Sequence, residues 1–529
     1  MTNGLTSETA HLIARTRQHS IGDLLRRTAA RYPNKSALVA GDARLSYQEF
    51  DVAVNRAAHA LSSRGVTRGD RLALMSHNSL QYVVLAFAAA KLGVVLVPIN
   101  FMLNASEAAY ILDHSGASAL VAEDALIPVA KQAMTMAGID GVRGCIGAAR
   151  DDWENVDDWW TTGPAEDLEV VVSDDDPLRL MYTSGTESRP KGVVLTSRSL
   201  IAQYNSCAID GEASPDDIEI HSMPLYHCAQ LDCFLSVGVY VGATNVILRA
   251  PEPAAILSAV ANEKATKLFC PPTVWISLLR HPDFARWDLS TLTKGYYGAS
   301  PMPVQVLQEL MVKLPGVRWW NFYGQTEMAP VATILRPEEQ INHAGSAGRA
   351  AINVQTMVVD QDDRPVPPGV VGEIVHRSPH AAFGYYRDEQ GSARAYRNGW
   401  LHSGDLGVLD EEGYLTVVDR KKDMIKTGGE NVASREVEEM VYRLEGVAEV
   451  AVFGVPDPRW IEAVTAVVVP KPGAGLTPEA IRQHCRQHLA GYKCPKHIVL
   501  ADALPKNPSG KILKRELRLQ YSELATAGP

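Results

Sequence analysis

The run Thr183-Ser184-Gly185-Thr186-Glu187-Ser188-Arg189-Pro190-Lys191-Gly192 places hydroxyls, a glycine and a lysine directly after the apolar stretch LRLMY. Backbone N–H groups in such a turn, with the hydroxyls of Thr183, Ser184 and Thr186, can surround phosphate oxygens, and Lys191 adds positive charge. It is not a Walker A loop, which needs G-x-x-x-x-G-K-[ST] leading into a helix. Here the lysine follows a proline and precedes a glycine and the strand-like VVLTS. Taken alone, a Ser/Thr/Gly run is more often an ordinary connection than a phosphate site. Glu187 sharpens the question: a carboxylate about 4 Å from a phosphate charge costs about 1 kcal/mol in water and about 4 kcal/mol at an effective dielectric of 20. Either Glu187 turns outward beside Arg189, or the loop is impaired.

A chain of 529 residues, 46% of them hydrophobic, is too long for a single core and too apolar for disorder. The formal charge of -10 argues against a nucleic-acid partner, whose footprint would be a basic face. The 7 cysteines are scattered, never paired as C-x-x-C, and signal neither a disulfide framework nor a zinc site, so a reducing cytoplasm is expected. The N-terminal stretch lacks an apolar signal core. The most apolar window, YVVLAFAAAKLGVVLVPIN from Tyr82, is interrupted by Lys91 and Gly93. It reads as a buried helix running into a buried strand, since a membrane span needs about 20 uninterrupted apolar residues.

Short β-branched runs alternate with helical patterns from about residue 20 to 420: LALM before a helix from His77, then ASALVAE, TNVILRA and TKLFCPP. Such alternation predicts an α/β body with parallel strands. The stretch TMVVDQDDRPVPPGVVGEIVHRS, broken by Asp, Pro and Gly turns, predicts a small β subdomain. From Arg420 onward there are 17 basic and 13 acidic residues, against 34 and 48 before it. Residues 420–529 therefore read as a separate, mildly basic α+β domain following a body of residues 1–419. Within it Ser434 is the expected N-cap of a helix whose apolar face is Val437, Met440, Val441 and Leu444, with Glu436, Glu438 and Glu439 in its first turns. Thr477-Pro478-Glu479 opens another, and AEVAVFGV and AVTAVVVP are strands between them.

Five stretches, MYTSGTESRPKGVVLTSRSL, NFYGQTEMAP, GWLHSGDLG, DRKKDMIKTGGENV and PKNPSGKILKREL, stand in this order and at spacings that resemble the adenylate-forming superfamily of acyl-CoA synthetases, peptide-synthetase adenylation domains and luciferases. The resemblance runs from SIGDLLRRTAARYPNKSALVAGDARLSYQEFD to Lys511. It implies ATP, Mg²⁺ and coenzyme A as co-substrates and cofactor, and a small-molecule carboxylic acid as the group activated. The acid displaces pyrophosphate from ATP to give an acyl adenylate; a thiol then displaces AMP, so positioning and charge stabilisation dominate the first step.

By that resemblance, Thr183, Ser184, Gly185, Thr186 and Lys191 cradle the departing pyrophosphate. Thr326 contacts the α-phosphate, and Glu327 helps hold Mg²⁺, which prefers oxygen ligands. Asp405 accepts from the ribose hydroxyls with Arg420 nearby. Gly298, Ala299 and Ser300, with Asn321, Phe322, Tyr323 and Gly324, frame the nucleotide, although Tyr323 could equally be a core aromatic. Lys511 resembles the catalytic lysine that offsets charge in the transition state. Lys422 is the implied hinge about which the small domain turns between half-reactions, and Lys426, Gly428, Gly429 and Glu430 then face the thiol tunnel. The family loop usually reads T-S-G-T-T-G-x-P-K-G, so Glu187 and Ser188 depart from it, as does Ser197, where a histidine is common.

MPLYHCAQLDCFLSVGVYVGAT resembles the segment that begins the acyl pocket, with Tyr226-His227 at its aromatic-histidine position; His227 is grouped with the catalytic residues. Adenylation domains for α-amino acids carry an aspartate near this position to hold the ammonium group; Tyr226-His227-Cys228-Ala229 offers none, so an amino acid is disfavoured. The later LFCPPTVWISLL adds apolar surface, with Trp275 lining a tunnel or packing. A medium- or long-chain fatty acid is expected, with a cinnamate-like aryl acid, a carrier-protein acceptor or a silent nucleotide-binding homologue as alternatives. An apolar substrate is compatible with peripheral contact at a membrane, although no basic amphipathic helix is present to carry it.

Overall fold

The computed structural model describes residues 6–150, 152–183, 190–427 and 430–525. Ser184, Gly185, Thr186, Glu187, Ser188, Arg189, Gly428 and Gly429, all assigned places above, lie outside the described residues.

The alternating runs form two large sheets. Among the described residues, one has nine strands, in the order Arg349–Ala350, Val331–Leu335, Arg318–Gly324, Lys294–Gly298, Lys267–Phe269, Ile218–His221, Thr244–Ile247, Ser36–Ala40 and Ala43–Ser46. Its centre is parallel, and non-consecutive neighbours require crossover helices. The second carries the strand Pro177–Thr183, which leads into the hydroxyl-rich run, paired antiparallel with Lys191–Thr196 and parallel with Val95–Pro98. Lys191 therefore opens a strand rather than a helix, as its proline and glycine neighbours imply.

The apolar window folds as helix Leu80–Leu92 and strand Val95–Pro98. The helix begins at Leu80, capped by the Ser79 hydroxyl, rather than at His77. It is buried on every side, between Tyr47–Ser63 and Ile21–Arg31. Lys91 is tolerated there because its ammonium meets Asp51 at 3.0 Å and Asp167 at 3.1 Å. Among the described residues, no helix is long and apolar enough to cross a membrane.

The Asp/Pro/Gly-punctuated region makes an antiparallel sheet from Gln355–Val359, Gly372–Arg377 and Trp400–Leu409, joined by Leu415–Arg420. Beyond it, strands Val447–Asp457 and Ile461–Pro470 form a long hairpin with helices Ser434–Tyr442 and Pro478–His488 against it. The whole is a layered α/β body with a β subdomain, followed by a small α+β unit. One local expectation fails: the N-cap of helix Ser434–Tyr442 is Ala433, which caps with no side chain. Its acceptor comes from elsewhere, the Asp419 carboxylate taking the Ser434 N–H at 2.6 Å. The Ser434 hydroxyl instead accepts from Lys514 at 2.7 Å.

Candidate active site

Strands Lys294–Gly298 and Arg318–Gly324 run parallel with Gly298 opposite Phe322, so the loop through Ala299 and Ser300 and the turn after Gly324 leave the same sheet edge. Ligands of open α/β sheets bind at such carboxyl edges. Ala299 holds a left-handed φ of 62°, a conformation costing roughly 1–2 kcal/mol for a residue with a Cβ. Only glycine fits at position 324, where a Cβ would lie 1.9 Å from the Pro330 carbonyl. The Gln325 N–H donates to that carbonyl at 2.8 Å, closing the turn that carries Thr326 and Glu327.

The residues expected around the nucleotide separate by side-chain direction. Asn321 donates its amide to the Ser346 carbonyl at 2.9 Å. Phe322 turns its ring into the core. Tyr323 is no mere core aromatic, because its hydroxyl donates to Asp405 Oδ2 at 2.8 Å. Asp405 and Arg420 are register partners on Trp400–Leu409 and Leu415–Arg420, and the guanidinium Nε stands 3.5 Å from Asp405 Oδ1. Burial, then the Asp405 charge, pushes the Tyr323 phenol well up, so it remains a donor.

Glu327 accepts from the Tyr385 hydroxyl through Oε1 at 2.8 Å. The same Tyr385 ring lies under the Lys191 ammonium, 4.6 Å from its centroid, and Lys191 Nζ is 3.7 Å from Asp388. One aromatic thus joins the lysine of the hydroxyl-rich run to the candidate metal carboxylate. Sequence reasoning missed Tyr385 and Asp388, which lie in GYYRDEQ with no motif to single them out. Thr326 Oγ1 contacts Cys228 Sγ at 3.4 Å, tying the turn to the segment that follows His227. Cys228 is buried and its thiol is pushed up to about 12, so it packs there as a neutral group. His227 caps the short turn Cys228–Gln230, its Nδ1 accepting from the Ala229 N–H at 3.2 Å.

Lys511 arrives from the C-terminal unit. Its N–H donates to Asn507 Oδ1 at 2.9 Å, and its carbonyl accepts from the Asn507 N–H at 2.9 Å, closing the Asn-Pro-Ser-Gly-Lys turn on itself. Gly510, at φ +76°, is where this turn meets the body, its carbonyl accepting from Thr273 Oγ1 at 2.7 Å. The Lys511 side chain keeps contact with solvent while the surrounding protein, then Arg420 and Lys422, push its pKa down to about 8. Asp405 and Asp423 act in the opposite sense. Burial, then the Lys511 charge, lowers His227 to about 4. Lys511, His227, Arg420 and Asp405 therefore share one cleft between the body and the C-terminal unit.

Lys422 lies in the turn after Leu415–Arg420, where the N–H groups of Asp423 and Met424 donate to the Arg420 carbonyl at 2.9 and 3.2 Å. Lys426 and Glu430 sit exposed on neighbouring antiparallel strands, and the Lys426 N–H donates to Glu462 at 2.7 Å. The structure thus links Lys191 to Glu327 through Tyr385, Thr326 to Cys228 beside His227, and Tyr323 to Asp405 and Arg420 where Lys511 approaches. Lys426 and Glu430 stand on the C-terminal unit's own sheet.

Comparison with known proteins agrees with this geometry. The family model described as "AMP-binding enzyme" matches residues 25–386, and "AMP-binding enzyme C-terminal domain" matches residues 436–511. A feruloyl-CoA synthase of Amycolatopsis sp is 35% identical over 96% of this chain and 100% of its own. The long-chain-fatty-acid–CoA ligase FadD13 of Mycobacterium tuberculosis is 34% identical over 95% of this chain and 99% of its own. Among solved structures, the anthranilate CoA ligase AuaEII with anthranoyl-AMP superposes with a TM-score of 0.91 at 26% identity, covering 97% of this chain and 98% of that one.

Proposed function

Since the chain belongs to the AMP-binding, adenylate-forming enzymes and is an acid–CoA ligase of that family, we propose how its residues divide the work and what they act on. The acid's carboxylate oxygen attacks the α-phosphorus of ATP, pyrophosphate leaves, and the thiol of coenzyme A then attacks the acyl carbon and releases AMP.

The observation that carries this reading is the convergence of Lys511 on the cleft that holds Asp405, Arg420 and His227. Lys511 balances charge between the attacking carboxylate and the α-phosphate, while Thr326 donates to a phosphate oxygen. Asp405 accepts from the ribose hydroxyls, held by Tyr323 and Arg420. Lys191 takes the departing pyrophosphate. His227, neutral above about pH 5 given a pKa near 4, borders the acid and carries no competing charge. Glu327 suits Mg²⁺, since its Oε1 is oriented by the Tyr385 hydroxyl. One carboxylate together with substrate phosphates is the usual Mg²⁺ arrangement, in which the ion neutralises phosphate charge. We read this arrangement as suited to adenylation; for the second step the C-terminal unit turns about Lys422 and presents the strands that carry Lys426 and Glu430.

The acid has an apolar body. Feruloyl and fatty-acid relatives match at 35% and 34% identity, so both the fatty and the aryl reading have relatives behind them. A carrier-protein acceptor is the second reading, favoured by a fatty acid–[acyl-carrier-protein] ligase of Streptomyces coeruleorubidus at 34% identity. The test is pyrophosphate release with ATP and Mg²⁺ over alkyl and aryl acids, each with and without coenzyme A. CoA-dependent turnover is expected. Turnover that depends on a carrier protein and ignores CoA selects the second reading, and silence in folded protein that binds ATP selects a catalytically silent homologue.

A further inference from the structure

Lys191 already has a partner where it stands. Its Nζ lies 3.7 Å from Asp388 Oδ2 and 4.6 Å from the centroid of the Tyr385 ring. One turn brings both groups to it. The Asp388 N–H donates to the Tyr385 carbonyl at 3.2 Å, and between them Arg387 adopts a left-handed φ of 53°, which residues with a Cβ rarely hold. Arg387 is fixed there by its own side chain, whose Nη1 donates to the His114 carbonyl at 3.1 Å and whose guanidinium lies 5.1 Å from the Tyr386 ring. Facing this turn, the neighbours of Lys191 are pinned in their turn: the Gly192 carbonyl accepts from the Tyr386 N–H at 2.7 Å, and the Pro190 carbonyl from the Tyr110 hydroxyl at 3.1 Å. Lys191 and Asp388 are therefore set opposite each other from both sides.

Helix capping alone does not account for Asp388. Its Oδ1 accepts from the Gly391 N–H at 2.8 Å and caps helix Glu389–Ala395, which an uncharged asparagine or serine would do as well. Oδ2 is the oxygen that faces Lys191. The Lys191 and Asp388 side chains are 35% and 34% exposed, so a phosphate can reach the ammonium, and a pair this exposed is weak enough to exchange partners. Tyr385 keeps the two nearby carboxylates in separate roles: its hydroxyl holds Glu327, while its face carries Lys191.

We propose that Asp388 competes with pyrophosphate for Lys191 and thereby promotes release of that product. The proposal rests on the ligase reading, in which the acid's oxygen forms a bond to the α-phosphorus, the bond from that phosphorus to the bridging oxygen breaks, and the electron pair leaves with pyrophosphate. Lys191 offsets the charge so created. As the product departs, the ammonium returns to Asp388 rather than to water alone, and the carboxylate repels the polyanion. Asp388 acts through Lys191 and is a positioning residue.

The test is the affinity for inorganic pyrophosphate with Mg²⁺, measured by calorimetry on the full chain and as product inhibition of acyl-CoA formation. Asp388→Asn should bind pyrophosphate about three- to tenfold more tightly than wild type, with an unchanged melting temperature because the cap is retained. Asp388→Ser, which also caps, should move the affinity the same way should the asparagine variant not fold. Loss of a structural support would weaken binding, so tighter binding is a signature that capping cannot give. In a Lys191→Gln background the gain from Asp388→Asn should shrink, because the competing ion pair is already absent. Affinity unchanged or weaker in folded Asp388 variants overturns the proposal, as does an equal gain with and without Lys191. If no acid turns over and yet Asp388→Asn tightens pyrophosphate binding, the ligase reading falls and the competition for Lys191 stands; CoA-dependent turnover with pyrophosphate affinity unmoved does the reverse.

Discussion

At the scale of single residues, the role proposed for Lys511 is to carry the charge that the first half-reaction requires, and its surroundings set when that charge is present. With its pKa pushed down to about 8, the ammonium is complete below pH 7 and is lost as pH rises through 8. For pyrophosphate release, kcat/KM, which reports groups of the free enzyme, should therefore fall above pH 8 with a single ionisation. That fall should move to higher pH in Lys511→Arg, whose guanidinium does not titrate there. Lys511→Ala should lower adenylation by about 10²–10³-fold, while release of AMP from a supplied acyl adenylate by CoA stays within about threefold, because that step does not use this contact. An equal fall in both half-reactions would refute the assignment. Asp405→Asn replaces the acceptor that Tyr323 and Arg420 hold in place. Losing charge-assisted bonds worth about 1.5–3 kcal/mol should raise the KM for ATP at least about tenfold and leave the KM for the acid nearly unchanged. Tyr385→Phe removes the donor to Glu327 while keeping the ring under Lys191, so its effect should appear as a raised Mg²⁺ requirement rather than as lost stability.

At the scale of elements, the turn around Lys511 is made by Gly510. A Cβ there would lie 2.6 Å from Thr273 Oγ1 and 3.1 Å from Pro271, at a φ of +76° that L-residues avoid. Gly510→Ala should therefore displace Lys511 from the cleft and lower adenylation nearly as far as Lys511→Ala. Its melting temperature should stay near that of the wild type, because the turn is docked rather than buried in a core. A variant that melts early would mean that the turn is structural. Helix Ser434–Tyr442 poses the complementary case, since its capping acceptor, Asp419, belongs to strand Leu415–Arg420. Asp419→Ala should cost about 1 kcal/mol, read in a urea melt. Much of the element order was legible beforehand: β-branched alternation located Arg71–Met75, Ala119–Glu123 and Lys267–Phe269, and Thr477-Pro478 located the helix at Pro478–His488. The Ser434 cap was misjudged because a serine before an amphipathic run satisfies the local rule, whereas the competing carboxylate, 15 residues earlier, reaches the helix only once the chain has folded.

At the scale of the whole molecule, Arg435 is one of the groups that join the C-terminal unit to the body. Arg435, on helix Ser434–Tyr442, donates to the carbonyls of Val417 and Gly345 (the latter at 2.9 Å). Burial lowers its pKa from the usual guanidinium value. These bonds exist in the arrangement that seats Lys511, so Arg435→Ala should weaken adenylation and leave thioester formation from a supplied adenylate unchanged or faster. A uniform loss of both would place Arg435 in stability alone. The same partition would test the turn at Lys422, which lies on the path between the two units.

The sequence by itself determined the family: hydroxyl-rich run, Thr-Glu turn, Asp405 and Lys511 stand in the order of the adenylate-forming enzymes, to which the chain belongs, because such motifs are short and local. It also determined the layering, since strand and helix periodicities are local too. Only the tertiary structure decided which side chains meet. Tyr385 joins Lys191 to Glu327, and Thr273 receives Gly510. Each of these meetings depends on strand register and crossover between residues far apart in the chain.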